Sequence, residues 1–349
     1  MKDAVFITGA SGFIGGKIAE RLLSEGRKVR VLARRPLPGL EKLGAEVVPG
    51  DLGDHAALRR GCDGVGTVFH VAARVGVWGP ASDFFKINVE GTRSVIAACR
   101  EAGVPRLINT SSPSVVYTGG DLRGINESAP LCTRAPSAYP TSKAAAERLV
   151  SEANGKSLAT ISLRPHLVWG PGDKNLIPRI LAMARRGRLK IIGDGRNKVD
   201  LTHITNVVDA QLLAERVCRA TAGTNTGPVA AGNGTGKAYF ITNGEPVVLW
   251  DWINGLLRGV GIPAVDKRVS LKAASFAGGA LEILWRGLRL KGEPPMTRFV
   301  AHEMATDHWF DFSAARHDLG YHPRVSMAEG TAELIRHFAT TDEIGRGLR

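Results

Sequence analysis

Tyr139 and Lys143 stand four residues apart in the string Tyr139-Pro140-Thr141-Ser142-Lys143. A separation of four places two side chains on one helix face, one turn apart. A tyrosine hydroxyl has a pKa of about 10 and is a poor base near neutrality. A neighbouring ammonium stabilises the phenolate, so we expect Lys143 to lower the pKa of Tyr139 toward the working range. The spacing therefore predicts proton transfer to or from an oxygen atom.

Hydroxyl groups precede this pair, at the end of a predicted strand over residues 106–110. Ser111, Ser112 and Ser114 follow that strand directly. Parallel sheets place their ligands at the carboxyl ends of the strands. The three serines are therefore competing candidates for contact with a reacting group.

Glycines recur every three residues between a predicted strand and a predicted helix near Met1. Phosphates need close backbone approach and free amide donors at a helix N-terminus, where the dipole favours negative charge. Glycines at this spacing supply a tight turn, room for a pyrophosphate and close helix–strand packing. A glycine loop placed between a strand and a helix is far stronger evidence than a lone one. We therefore predict a dinucleotide held by Gly9, Ser11, Gly12, Phe13, Ile14 and Gly15.

The end of the second predicted strand decides between the two nicotinamide cofactors. An acidic residue there holds the ribose hydroxyls of NAD and repels a 2′-phosphate. This chain has Arg34 and Arg35 instead. A guanidinium presents a planar donor fork that matches phosphate geometry. The sequence therefore favours NADP, as NADPH, and keeps NAD as the second choice.

Short apolar runs alternate with helical patterns in the first half of the chain, which indicates a parallel sheet flanked by helices. Strands are predicted at residues 4–8, 29–33, 46–48, 67–71, 106–110 and 160–163, with a helix at 13–24. Near-continuous apolar strands are expected where both sheet faces are covered. The predicted fold class is α/β, a Rossmann-type doubly wound parallel sheet with a smaller C-terminal substrate-binding domain.

The alternation weakens after Pro165. We assign residues 1–165 to a dinucleotide-binding domain, to which 199–242 return, and 166–198 and 243–349 mainly to a substrate-binding domain. Helices are predicted at 175–188, 207–219 and 249–258. Residues 221–236 are rich in Gly, Thr, Asn and Ala and predict a surface loop.

Residues 271–290 form an apolar segment that Glu282 interrupts. A membrane-spanning helix needs ~20 largely apolar residues, so spanning is not predicted. We favour a helix packed within the substrate-binding domain. An amphipathic helix that lies on a membrane or on a partner protein stays open.

Charge and cysteine content narrow the class of protein. The formal net charge is +13, but the basic residues are spread along the chain and no nucleic-acid-binding signature is present, so nucleic acid is not an expected partner. The four cysteines are scattered, which predicts neither disulfides nor a metal site and favours a reducing, cytoplasmic setting. The chain runs from Met1 directly into a predicted strand, so we expect no signal peptide.

The glycine spacing G-x-x-G-x-x-G, with the downstream serines and the Tyr139–Lys143 pair, resembles the extended short-chain dehydrogenases/reductases. This resemblance implies that Ser112 donates a hydrogen bond to the substrate oxygen, that Asn88 supports the lysine, and that Lys143 also holds the nicotinamide ribose. It implies a homodimer that pairs through the Tyr139 helix. Further cofactor contacts implied by the resemblance are Asp51, Leu52, Ala72, Ala73, Tyr139, Lys143, Pro165 and His166.

Within that group the chain most resembles the 3β-hydroxysteroid dehydrogenase branch. Residues 72–79, 111–117, 164–173 and 193–197 are similar to the reductases of bacterial long-chain olefin biosynthesis. That resemblance implies NADPH-dependent reduction of an apolar, long-chain 2-alkyl-3-oxo acid to the 2-alkyl-3-hydroxy acid. It also implies partner enzymes of the same pathway.

Three alternatives to this function stay open. A 3β-hydroxysteroid or sterol dehydrogenase shares the same catalytic residues. A nucleotide-sugar epimerase or dehydratase shares the fold and the tyrosine, but predicts an acid where this chain has Ala33 and Arg34. A non-enzymatic cofactor sensor needs no Tyr–Lys pair, so Tyr139 and Lys143 argue against it.

Overall fold

The computed structural model describes residues 3–221 and 234–340, and the elements below lie within those ranges. The strands are β1 (Val5–Thr8), β2 (Val29–Ala33), β3 (Glu46–Pro49), β4 (Thr67–His70), β5 (Arg106–Thr110), β6 (Leu122–Ile125), β7 (Ala159–Pro165), β8 (Val168–Trp169), β9 (Ile191–Ile192), β10 (Lys198–Val199), β11 (Thr202–His203), β12 (Ala238–Ile241), β13 (Val247–Val248), β14 (Arg268–Val269) and β15 (His308–Phe310). The helices are α1 (Phe13–Ser24), α2 (Pro38–Lys42), α3 (His55–Cys62), α4 (Ala81–Phe84), α5 (Gly91–Glu101), α6 (Ala138–Ala153), α7 (Leu176–Arg185), α8 (Ile204–Thr221), α9 (Leu249–Gly259), α10 (Leu271–Gly287), α11 (Arg298–Glu303), α12 (Ser313–Leu319) and α13 (Met327–Thr340).

Seven parallel strands form the central sheet, in the order β3-β2-β1-β4-β5-β7-β12. The predicted α/β class with a doubly wound parallel sheet is confirmed. Because the strands are parallel, the loops that follow them gather at one edge of the sheet, where such folds bind ligands. The six predicted strands are present; β7 extends the predicted 160–163 at both ends, and β4 stops one residue early.

Helices cover both faces of this sheet because its strands are apolar on both sides. Along β1, Val5 and Ile7 pack into one core cluster with α1 and α8, and Phe6 packs into another with α3 and α5. Helix α8 packs on this sheet, since its Val208 lies in the same cluster as Ile161 of β7.

A second hydrophobic core is formed by elements that follow β7 in the chain. Trp169, Trp250 and Leu256 are fully buried there with residues of α7, α9 and α13. A four-stranded sheet, β13-β10-β15-β6, joins segments that are distant in sequence. Most of the predicted loop at 221–236, residues 222–233, lies outside the described residues.

The apolar segment at 271–290 forms α10, which packs on α11 through its small residues. A Cβ at Gly278 would lie 2.7 Å from the Thr297 carbonyl carbon, and Glu282 pairs with Arg298 at 2.8 Å. The opposite side carries Phe276 and Ile283, which are 81% and 76% exposed. None of the helices in the described ranges is both long and apolar enough to span a bilayer.

Candidate active site

The glycine loop between β1 and α1 is tightly packed against its surroundings. Gly9 has φ +79°, and a Cβ there would lie 2.6 Å from the Ala72 nitrogen. A Cβ at Gly15 would lie 2.4 Å from the Gly9 carbonyl oxygen. Gly12 caps α1 without a side-chain hydrogen bond to the first-turn amides. The loop therefore offers a close backbone approach and a free helix N-terminus, which fit the pyrophosphate of a dinucleotide.

The residues predicted to contact the adenosine end follow β2 and β3 at the same sheet edge. Arg34 and Arg35 are exposed directly after β2. Asp51 follows β3, where its Oδ1 accepts a hydrogen bond at 2.8 Å from the amide two residues later. Leu52 packs on Gly91, where a Cβ would lie 2.7 Å from Leu52 Cδ1.

A cavity of about 300 Å³ gathers many of the predicted site residues at the carboxyl ends of the strands. The predicted residues that line it are Ile14, Ala73, Ser112, Tyr139, Lys143, Pro165 and His166. They come from α1, the loops after β4 and β5, the start of α6 and the end of β7. Asn88, the glycines and the Arg34–Arg35 pair lie outside this lining.

Tyr139 lies in the first turn of α6, where the Ser137 side chain accepts a hydrogen bond from its amide at 3.2 Å. The Tyr139 hydroxyl is hydrogen-bonded to Ser112. Ser112 Oγ accepts from the Ser114 hydroxyl at 3.0 Å, so its own proton is free to donate. Burial raises the pKa of Tyr139, and the hydrogen bond from Ser112 opposes that rise.

Lys143 is buried one turn further along α6, and its Nζ donates to the Thr110 carbonyl oxygen at 2.7 Å. Burial lowers the pKa of Lys143 to about 8, while the charge of Glu147 acts in the opposite direction. The expected fall in the pKa of Tyr139 is not found: its net shift is upward, because burial is the largest cause. Both side chains lose hydration, and the ammonium points at a main-chain carbonyl.

Glu147 is itself held by a buried, bidentate ion pair. Arg164 Nη2 and Nε donate to the Glu147 carboxylate at 2.6 and 3.0 Å. The Arg164 guanidinium also lies 4.9 Å from the centre of the Phe240 ring. Loss of one partner of such a pair costs about 3–5 kcal/mol, because a buried charge is left uncompensated. The pair therefore fixes α6, and with it Lys143, against the end of β7.

Asn88 links two parts of the site from behind the cavity. It lies in a π-helical turn, Phe85–Glu90, and is buried. Its Oδ1 accepts from the Arg74 amide at 2.7 Å, and its Nδ2 donates to Ser142 Oγ at 3.0 Å. Asn88 thus ties the segment after β4 to α6 beside Lys143, which is a positioning role.

Two buried histidines, His166 and His308, line the cavity. His308 Nε2 lies 2.7 Å from the Glu303 carbonyl oxygen, which only accepts, so His308 donates there. His308 Nδ1 must then accept from His166 Nε2, also at 2.7 Å. Burial holds the pKa of His166 well below its ordinary value, so the ring is neutral. Sequence analysis missed His308 and Glu303 because the pairing spans 142 residues and leaves no local pattern.

Two further hydroxyl groups line the cavity without a hydrogen-bond partner among the described residues. The Ser111 and Tyr117 side chains are 5% and 7% exposed, and both oxygens are buried and unpaired. Buried polar groups are normally paired, so these two are available to a bound ligand. Ser111 was weighed against Ser112 from the sequence; Tyr117 was not singled out as a site residue.

Comparisons with known proteins show which proteins the chain is similar to. The family model described as "3-beta hydroxysteroid dehydrogenase/isomerase family" matches residues 6–273. The chain is similar to the 2-alkyl-3-oxoalkanoate reductase of Stenotrophomonas maltophilia, with 43% identity over 95% of this chain and 98% of that protein. It is also similar to the enzyme of the same name from Shewanella oneidensis, with 42% identity over 94% and 84% of the two chains.

Among solved structures, the chain is similar to MoeE5 in complex with UDP-glucose and NAD. The TM-score is 0.70 and the identity is 27%, over 96% of this chain and 98% of that one. The fold is therefore shared with a protein whose structure contains NAD.

Proposed function

The chain belongs to the 3-beta hydroxysteroid dehydrogenase/isomerase family, and on that premise we propose that it reduces a long-chain 2-alkyl-3-oxoalkanoate to the 2-alkyl-3-hydroxyalkanoate with NADPH. The chain is an NAD(P)-dependent oxidoreductase of the short-chain dehydrogenase/reductase superfamily. The proposal for the substrate rests on the two reductases that share 42–43% identity with it over most of its length. The observation that carries the chemistry is the single cavity that holds Ser112, Tyr139 and Lys143 beside the glycine loop.

In this mechanism Tyr139 is the proton donor for reduction and the acceptor for oxidation. Its raised pKa keeps the hydroxyl protonated at neutral pH, as a donor must be. Ser112 donates to the substrate carbonyl oxygen and polarises it, with its own orientation set by Ser114. Lys143 supplies a positive charge that favours loss of the Tyr139 proton. The bound nicotinamide supplies or accepts the hydride.

NADPH is the proposed cofactor because Arg34 and Arg35 are exposed at the end of β2. Replacement of both arginines by alanine should weaken the binding of NADPH far more than that of NADH, because the 2′-phosphate would lose two charge-assisted contacts. Dissociation constants for both cofactors, from fluorescence titration, provide the test. Arg216→Ala, at an exposed position on α8, is the control. Equal weakening of NADPH and NADH would contradict the proposal.

Absorbance of NADPH in the near ultraviolet provides the test of the substrate. We expect rapid oxidation of NADPH with a long-chain 2-alkyl-3-oxo acid. In the reverse direction we expect reduction of NADP⁺ with the corresponding hydroxy acid and little response to a 3β-hydroxysteroid. Turnover with the steroid alone would instead support the hydroxysteroid alternative, which the family description favours. Lack of turnover with both would favour nucleotide-sugar chemistry.

We also propose which parts of the chain bind the cofactor and which bind the substrate. Residues 1–165 and 199–242 would bind the cofactor, and 166–198 and 243–349 would mainly bind the substrate. Support comes from the cavity itself, which is lined from the first range by Tyr139 and from the second by His308 and Phe310.

We further propose a cytoplasmic homodimer with α6 in its interface and with contacts to partner enzymes of olefin biosynthesis. Peripheral membrane contact through residues 271–290 completes the proposal and rests on the exposed apolar side of α10. Sedimentation equilibrium tests the dimer; a single species at the mass of one chain, 37.2 kDa, would contradict it.

A further inference from the structure

A second cavity, of about 860 Å³, lies beside the catalytic cavity. Its walls are the segment after β4, the segment before α6 and the C-terminal half of α10, which contributes Trp285 and Arg286. Phe299 of α11 lines this cavity and the catalytic one. The two spaces therefore share a wall at one aromatic side chain.

Aromatic rings supply much of the lining. Trp78, Phe85 and Trp285 face the second cavity together with Phe299. Phe85 is 40% exposed although it is a large apolar side chain. Such a concave, aromatic lining with an exposed apolar residue is typical of a site for an apolar ligand.

Three arginines, Arg134, Arg286 and Arg289, also border the cavity, and all three are exposed. Long basic side chains lay their aliphatic stems along apolar surface and keep the charged head in water. The Arg286 guanidinium lies 5.6 Å from the centre of the Trp78 ring, which also lines the cavity. The lining of the second cavity therefore combines exposed cationic groups with aromatic side chains.

Glu282 is the acidic member of the lining, and its carboxylate is already committed. It accepts from the Arg298 amide at 2.8 Å and pairs with the Arg298 guanidinium. This pair joins α10 to α11 and so fixes the wall that carries Phe299. No uncompensated carboxylate of the described lining therefore faces an apolar ligand.

Size separates the roles of the two cavities. Sites for whole ligands measure about 300–1,000 Å³, and the catalytic cavity is only about 300 Å³. That space must admit the nicotinamide end of the cofactor and the reacting carbonyl. A branched acid with two long alkyl arms does not fit there in full, so at least one arm must leave the catalytic cavity.

Phe299 lies in the wall that the two cavities share. Its ring centre lies 5.2 Å from that of Tyr117, at an interplanar angle of 45°. Tyr117 lines the catalytic cavity but not the second one, and its buried hydroxyl has no hydrogen-bond partner among the described residues. An alkyl arm that runs from the reacting carbon to the aromatic side chains of the second cavity would have to pass this ring pair.

We propose that the second cavity binds one long alkyl arm of the substrate, which enters past Phe299. This inference rests on the proposed function, because it assumes a branched acid as substrate. It assigns chain-length selection to Trp78, Phe85, Trp285 and Phe299, and leaves proton transfer to Ser112, Tyr139 and Lys143.

The test combines substrates of different arm length with variants that fill the second cavity. Ala81→Trp and Ala135→Trp add bulk at positions that line only this cavity; Ala81 is exposed and Ala135 partly exposed, so folding tolerates the larger side chain. Ala277→Trp, at an exposed α10 position outside both linings, is the matched control. The substrates are 2-alkyl-3-hydroxy acids with the arm at C2, the arm at C3, or both, shortened to methyl, oxidised with NADP⁺.

For the wild-type protein we expect kcat/KM to fall by roughly 100-fold or more when the bound arm is shortened, since each methylene contributes to discrimination. Both filling variants should lower kcat/KM for that long-arm acid by about tenfold or more and leave the short-arm acid nearly unchanged. The control should match the wild type with all acids. Equal loss on long-arm and short-arm acids, or no loss, would overturn the inference. Wild-type turnover of steroid but of no branched acid would instead remove the proposed function on which it rests.

Discussion

At the scale of single residues, burial sets the protonation of the catalytic pair. It raises the pKa of Tyr139 and lowers that of Lys143 to about 8. At neutral pH the tyrosine therefore holds its proton and the lysine holds its charge. This combination suits reduction, in which Tyr139 gives a proton to a carbonyl oxygen. The Lys143 ammonium then stabilises the Tyr139 phenolate.

Tyr139→Phe tests the proton-transfer role. We expect kcat to fall by about 10²–10⁴-fold, the usual contribution of a general acid or base, with NADPH affinity nearly intact in a fluorescence titration. Tyr321→Phe is the control, since its hydroxyl donates to the Thr242 carbonyl oxygen at 2.9 Å outside the cavity. It should lower stability by about 1 kcal/mol and leave turnover unchanged. Equal turnover of Tyr139→Phe and wild type would refute the assignment.

The lowered pKa of Lys143 predicts a stability that depends on pH. Between about 8 in the folded chain and its ordinary 10.5, the unfolded state binds more protons, so the contribution of Lys143 to stability rises with pH. The free energy of unfolding of the wild type, minus that of Lys143→Met, should therefore rise by roughly 2–3 kcal/mol from about pH 7 to about pH 10. Urea unfolding at both pH values measures it.

Lys156→Met is the control for that experiment. Lys156 is exposed, so its side chain stays in water in the folded and the unfolded states. Lys156→Met should therefore change the free energy of unfolding by no more than about 0.5 kcal/mol. A difference for Lys143→Met that does not change between the two pH values would show that the pKa of Lys143 is not lowered in the folded chain.

At the scale of elements, the glycine loop leaves no room for a side chain at Gly15, and we expect cofactor binding to depend on this. Gly15→Ala would place a Cβ 2.4 Å from the Gly9 carbonyl oxygen. We expect it to cost about 1–3 kcal/mol of stability through overpacking and to abolish NADPH binding, because the loop must move. Thermal unfolding and fluorescence titration measure the two effects.

Gly39→Ala is the matched change in a place with room. Nothing lies within 4 Å of a Cβ at Gly39, which is in α2, so alanine should stabilise the helix by up to about 1 kcal/mol. NADPH affinity should stay unchanged. If Gly15→Ala binds NADPH like the wild type, the loop is not the pyrophosphate site.

Local sequence patterns predicted most strands of the central sheet and the first helix, α1. Strands such as β1 and β2 are largely apolar runs that stand out from the sequence around them, and α1 begins and ends where the glycines and Gly26 predict. The two-residue strands β8 to β11 carry too few residues for any periodicity. Their pairing with partners such as β13 and β15 is set by tertiary contacts, which no local pattern records.

The same limit explains which site residues were accessible from sequence. Tyr139, Lys143 and Ser112 follow strand ends or share a helix turn, so spacing indicates them. The buried ion pair of Glu147 and Arg164 spans 17 residues and two elements. His308 reaches the cavity only because β15 joins β6 in the second sheet, which the sequence did not predict.

At the scale of the whole molecule, positive charge and exposed apolar surface coincide on α10. The chain carries a net charge of +13, and Arg286 and Arg289 are exposed beside Ile283 and Leu288, which are 76% and 63% exposed. Basic residues close to apolar side chains favour an interface with anionic lipid. The same helix forms a wall of the second cavity, so a membrane-bound protein would present that cavity near the lipid phase.

A double variant, Ile283→Asp with Leu288→Asp, tests this surface in the full-length protein. We expect the wild type to sediment with phosphatidylglycerol vesicles at low ionic strength, and to be released by salt, because exposed charges are screened over about 10 Å at 0.1 M. The double variant should stay in the supernatant, since each carboxylate opposes both apolar burial and the anionic surface. Leu43→Asp is the control, because Leu43 is 56% exposed but lies after α2, away from α10. If the wild type fails to sediment with the vesicles, or Leu43→Asp loses binding equally, α10 is not the membrane contact and its apolar side must serve another partner.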